Sequence, residues 1–173
     1  MLISAIWFGV VISQDQDKGT LRKLPPMPAD SSAPIEVPSN LNNVLFIWVD
    51  SKDELTVGQK LCDLENLRAR VKKFIDNNGE DSTLSDSPQD VIILLKNEVS
   101  KSYKMYIQVQ NEVAAAYREL RDTFGLKEFG ISYSDLVTTL KNENDDFKSK
   151  AIESKVEKIK SAYPMRVSEA DAK

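Results

Sequence analysis

Five of the seven prolines, Pro25, Pro26, Pro28, Pro34 and Pro38, crowd into residues 18–43, where no apolar periodicity runs. Each proline fixes φ and removes a backbone N–H, so the stretch takes extended, polyproline-like conformations and enters neither a helix interior nor a central sheet ladder. Folding is thereby confined to the residues C-terminal to it. Residues 14–42 read as a proline-rich linker, residues 43–169 as one compact domain, and residues 170–173 as a frayed tail; 173 residues suit one ordinary core. The linker is either a plain spacer or an extended segment that a partner grips by strand addition or proline-groove docking. Its candidate contact residues are Leu24, Pro25, Pro26, Met27 and Pro28.

Ahead of the linker, residues 1–13 (MLISAIWFGVVIS) are apolar but too short to cross a bilayer, which takes about 20 residues. As a signal peptide the segment lacks the Lys or Arg that normally precedes the apolar run. The favoured reading is a partial transmembrane anchor, the outer half of a membrane helix with Met1 as an internal start. Trp7 then lies within it, and Gln14, Asp15, Gln16 and Asp17 mark the exit into water.

Within the compact part, Val44, Leu45, Phe46, Ile47, Trp48 and Val49 form a run of β-branched, aliphatic and aromatic residues that stops at Asp50. A turn and a second strand over residues 54–57 come next, closed by Gly58. From residue 60 to residue 77, Leu61, Leu64, Leu67, Val71, Phe74 and Ile75 recur at intervals of three and four, which predicts a one-sided amphipathic helix. Asn77, Asn78 and Gly79 supply its C-terminal cap, and a polar loop holding Pro88 runs to Gln89. Five consecutive apolar residues, 91–95, predict a strand inside the sheet and covered on both faces.

Tyr106, Val109, Val113, Tyr117 and Leu120 then predict a helix over residues 103–124, interrupted by Gly125; the alternation over residues 105–109 also permits a strand there. A short helix beginning near Ser134 as N-cap and a longer one carrying Ile152, Val156, Ile159 and Tyr163, stopped by Pro164, complete the helical part. Residues 165–169 form a last short strand. The expected fold class is therefore α+β, a small mixed sheet with two amphipathic helices on one face and extra C-terminal helices.

Charge and composition narrow the chemistry. With 23 Lys and Arg against 27 Asp and Glu, the net charge is -4, and no basic surface is expected for nucleic acid. Histidine, the commonest general base and metal ligand, is absent from the chain. Cys62 stands alone, with no second cysteine for a disulfide, and reads as a small buried hydrophobe. Glu80, Asp81, Asp86 and Asp90 lack the spacing and glycine of a calcium loop. Glu153, Lys155, Glu157 and Lys158 fit a solvated helix face. Phe46 and Trp48, two apart on a strand, belong to the core or to a sheet surface. No phosphate-binding or nucleophile motif is present. The expectation is a protein that is not an enzyme, with no catalytic residue, cofactor or metal.

Three blocks then carry a resemblance: DKGTLRKLPPMPAD at 17–30, YKMYIQVQNEVAAAYRELRDTFG at 103–125, and YPMRVSEADAK at 163–173. In this order they resemble the ExbD/TolR family of biopolymer-transport proteins, in the long form carried by Bacteroidetes-type bacteria, over about residues 10–173. The resemblance implies a single-pass inner-membrane protein with a flexible linker and a small periplasmic domain that packs two helices on one face of a sheet. It implies an ExbB/TolQ-like channel subunit and a TonB/TolA-like protein as partners, a homodimer within the channel ring, and proton-motive-force-driven transport across the outer membrane. The family's intramembrane aspartate falls at or before Met1, so no residue here inherits its role; Asp15 and Asp17 lie at the solvated outer boundary of the apolar run. The alternative is a secreted or Tol-type periplasmic binding module that contacts peptidoglycan, with residues 1–13 as its signal peptide.

Overall fold

The structure, a computed structural model, describes residues 40–98, 103–143 and 145–170. The proposed anchor, the linker as far as residue 39 with Leu24, Pro25, Pro26, Met27 and Pro28, and residues 171–173 lie outside them. A single 3-10 turn, Leu41–Asn43, opens the described chain. Polar side chains fasten it to a distant loop. Buried Asn43 accepts from the Asp86 backbone N–H at 2.9 Å, and the Asn42 amide donates to the Ser82 carbonyl at 2.9 Å.

Five strands make the sheet: β1 Val44–Val49, β2 Leu55–Val57, β3 Lys60–Leu61, β4 Ile92–Asn97 and β5 Val167–Ala170. Their spatial order is β3-β2-β1-β4-β5, with β1 to β3 antiparallel neighbours and β4 and β5 added in parallel. Four helices, α1 Leu64–Ile75, α2 Lys104–Phe129, α3 Tyr133–Asn142 and α4 Asp146–Ala162, complete an α+β fold.

Alternation along the strands decides where the core sits. Leu45, Ile47 and Val49 of β1 and Ile93 and Leu95 of β4 point to one side. There they join Leu67, Val71 and Phe74 of α1 and Val109, Val113 and Tyr117 of α2 in one buried cluster. Each large aliphatic side chain buried this way contributes about 1.5–3 kcal/mol. Both expected amphipathic helices thus cover the same face. A second, smaller cluster of Leu136, Val156 and Ile159 binds α3 and α4 together, with Phe124 and Phe129 of α2 packed against it.

The structure corrects several boundaries. Residues 60 and 61 form β3, not the start of a helix, because Gly58, at φ 63°, turns the chain back so that Lys60 pairs with Val57. The helix waits until Leu64. Its C-cap is Asp76; Asn78 and Gly79 take positive φ just beyond, as their residue types predict. Asn77 is buried and organises the next loop, donating to the carbonyls of Asp81 and Ser85 and accepting from the Asp81 N–H.

Gly125 does not interrupt α2, which continues to a left-handed cap at Gly130. It is there for proximity. A Cβ at this position would lie 2.8 Å from the Ile131 carbonyl and 3.0 Å from the Tyr133 nitrogen. Residues 105–109 are helical, not a strand. The N-cap of α3 is Ser132 and not Ser134: the Ser132 hydroxyl accepts from the Asp135 N–H, whereas Ser134 sends its own N–H and hydroxyl to Asp122. Finally, β4 lies inside the sheet between β1 and β5, but its outer face is not covered as expected. Ile92 and Leu94 remain half-buried there, because no helix among the described elements packs on that side.

Candidate interaction surface

The strand register assembles the outer face residue by residue. Trp48 lies beside Thr56 on one flank and Lys96 on the other, and Thr56 in turn faces Leu61. One pleat further along, Phe46 pairs with Leu94, and Leu94 with Ser168. The result is an apolar patch around Phe46, Trp48 and Leu94, with Thr56 separating it from Leu61. Phe46 is 51% exposed, Trp48 39% and Leu61 72%, and Ile92 and Leu94 of β4 are half-buried on the same face. The Lys96 ammonium lies 5.6 Å from the centroid of the Trp48 ring, a cation–π contact that sets a positive charge at the end of the patch. An apolar sheet face with aromatic side chains at its centre has the composition of a protein–protein contact.

Phe46 and Trp48 are thus placed on the sheet surface, one of the two positions their spacing allowed. Leu61, Ile92, Leu94 and Lys96 were missed. A wholly apolar run hides which side chains face outward; only Lys96, in phase with Leu94 and Ile92, marked that side as open.

On the opposite side, ion pairs join α1 to α2. Arg68 on α1 donates to Glu112 at 2.8 and 3.0 Å and to Glu119 at 2.9 Å, and Lys72 donates to Glu119 at 2.8 Å. These hydrogen bonds raise the Arg68 pKa, and those from Lys72 and Arg68 hold the Glu119 carboxyl below its ordinary range. At the far end of α4, the Tyr163 hydroxyl donates to Asp76 at 2.8 Å, and Arg121 donates to the Tyr163 carbonyl through two nitrogens at 3.0 and 2.7 Å. Burial, followed by the Asp76 bond, pushes the Tyr163 phenol up to about 12. These contacts lock helices in register.

Other candidate chemistry resolves into structure. Half-buried Cys62 packs against the main core, and its thiol donates to the Asp63 carbonyl at 3.4 Å. The hollow it lines, about 680 Å³, is ringed by Asp53, Glu54, Asp63 and Glu65. In the acidic loop, Asp81 accepts from Thr83, whose hydroxyl and N–H draw its pKa down, Asp86 accepts from Asn40 and Asn43, and Asp90 accepts from Ser87. Among the described residues, no group of three carboxylate or thiol side chains is placed to hold a metal ion, and no helix is long and apolar enough to cross a membrane. Glu153, Lys155, Glu157 and Lys158 lie on the exposed face of α4, as expected.

The fold defines an α+β domain with one sheet face covered by helices and, among the described residues, no helix on the other. No protein-family model matches the chain, and no curated protein matches it.

Proposed function

We propose that this chain is an accessory, non-enzymatic subunit of an inner-membrane complex of the ExbB-ExbD-TonB type, which couples the proton motive force to transport across the outer membrane. The described domain is its periplasmic handle. The observation that carries the reading is the occurrence of the three ExbD/TolR-like blocks, in order, across nearly the whole chain. Two features support it further. The domain packs two helices on one face of a small sheet, as the resemblance implies, and its other face exposes Phe46 and Trp48. A subunit that transmits force needs a contact surface, and exposed aromatic side chains on the sheet suit one.

On this reading the ExbB/TolQ-like channel subunit supplies the ring, and the TonB/TolA-like protein carries the work outward. One charge crossing the membrane yields about 2.3 kcal/mol per 100 mV, so several charges are needed to drive a substantial rearrangement. The test is genetic and biochemical together. Deleting the gene should abolish protonophore-sensitive outer-membrane uptake, and the tagged protein should bring down the channel subunit from detergent-solubilised membranes. Uptake unchanged in the deletion strain, with no channel subunit recovered, would refute the assignment.

A further inference from the structure

A second hollow, about 610 Å³, opens at the end of the sheet where β1 begins, between the β2–β3 turn, the flank of α1 and the loop after it. Its volume is that of a small-ligand site. Leu45, Val57 and Phe74, all on the helix-covered side of the sheet, make an apolar floor, with Leu84 half-buried beside them and Val44 at the edge. Around the rim stand three cations, Lys60 from the hairpin and Arg70 and Lys73 one turn apart on α1, against the single carboxylate Asp81.

The charge balance here runs against that of the molecule, which is net acidic at -4. Elsewhere on α1 the cations are matched: Arg68 and Lys72 are bound to Glu112 and Glu119. Among the described residues, Lys60, Arg70 and Lys73 form no ion pair, and the polar contact of the Arg70 guanidinium is with the Leu61 carbonyl at 3.4 Å. Asp81 is already bonded to Thr83. Leu41, 67% exposed, stands at the mouth beside them, an apolar side chain left in water at the edge of an apolar floor. A plain anion would use the rim and leave the floor wet. A neutral apolar molecule would use the floor and leave the cationic rim, whose one carboxylate Asp81 feels the charge of Lys73, without a ligand charge to match.

We infer that this hollow binds a small amphipathic anion, a carboxylate or phosphate on an apolar body, its charge held by Lys60, Arg70 and Lys73 and its body laid on Leu45, Val57 and Phe74. The carboxylate and phosphate forms share this chemistry, and the probes separate them. The inference does not depend on the transport reading; it concerns only the folded domain.

Amide NMR titration of the full chain with octanoate, octyl phosphate, octan-1-ol and inorganic phosphate tests it directly. Octanoate or octyl phosphate should give saturable shifts at Val44, Gly58, Lys73 and Leu84, and whichever binds more tightly identifies the head group. Octan-1-ol and inorganic phosphate should each bind at least about tenfold more weakly, the loss expected when charge-assisted hydrogen bonds or buried apolar area are removed. Arg70→Gln with Lys73→Gln, both at the protein surface, should weaken the better probe by a similar factor at an unchanged melting temperature. If that double variant fails to fold, Lys60→Gln alone carries the same comparison. Shifts centred elsewhere, no saturable binding by either amphiphile, equal binding of inorganic phosphate, or affinity unaffected by loss of the cations would overturn the inference.

Discussion

Gly125 sits mid-helix, where propensity alone favours alanine by about 1 kcal/mol. Packing reverses that sign. The two nearest atoms to an added methyl are backbone, the Ile131 carbonyl and the Tyr133 nitrogen, and the Ile159 side chain closes the third side at 3.2 Å. Neither backbone atom can move aside by changing rotamer, and overpacking of this kind costs about 1–3 kcal/mol. Gly125→Ala should therefore lower the urea midpoint, and a stabilised variant would show that α3 can shift away freely. Glu119 gives a prediction in pH. Its folded pKa is lowered by Lys72 and Arg68, so its contribution is full above the ordinary glutamate value and lost as pH falls through the lowered one. Because the side chain is 39% exposed, screening keeps the effect small, about 0.2–1 kcal/mol. Glu119→Gln should flatten that part of the acid limb in a comparison of urea midpoints across pH; identical limbs would contradict the pairing.

Among the elements, α3 begins at a serine cap. Ser132 has extended backbone, accepts from the Asp135 N–H at 3.0 Å and donates to its carboxylate at 2.7 Å. Ser132→Ala should cost about 1 kcal/mol. Hydrogen exchange should quicken at the first turn of α3 more than in Ser134→Ala, and the opposite order would restore Ser134 as the cap. The sequence made α1, α2 and α4 legible because each repeats apolar residues at one period for long enough to choose a side, and β1 because its short β-branched and aromatic run stops at Asp50, although that run leaves its faces undecided. It hid β3, since two residues carry no period and Leu61 fell in phase with the helix behind it. It misplaced the end of α2 because a glycine reads the same whether it ends a helix or admits a neighbour. The bare sheet face was hidden for a related reason: in the run 91–95 inward and outward residues are all apolar, and only the missing helices tell them apart.

At the scale of the molecule, two helices joined by ion pairs cover one side of the sheet, while Phe46, Trp48 and Leu61 stay open to water on the other and Leu94 is half-buried between β1 and β5. Burying such a patch in a partner would contribute roughly 25 cal/mol for each Å² of apolar area removed from water. The sharpest test of the transducing role is a photo-crosslinker placed at position 48 in cells, with position 155 on the exposed face of α4 as the control. Adducts should form from position 48 with the channel subunit, the TonB/TolA-like protein or a second copy of this chain, and should be lost when a protonophore collapses the proton motive force. Adducts that form only from position 155, or that persist unchanged without the proton motive force, would contradict that role.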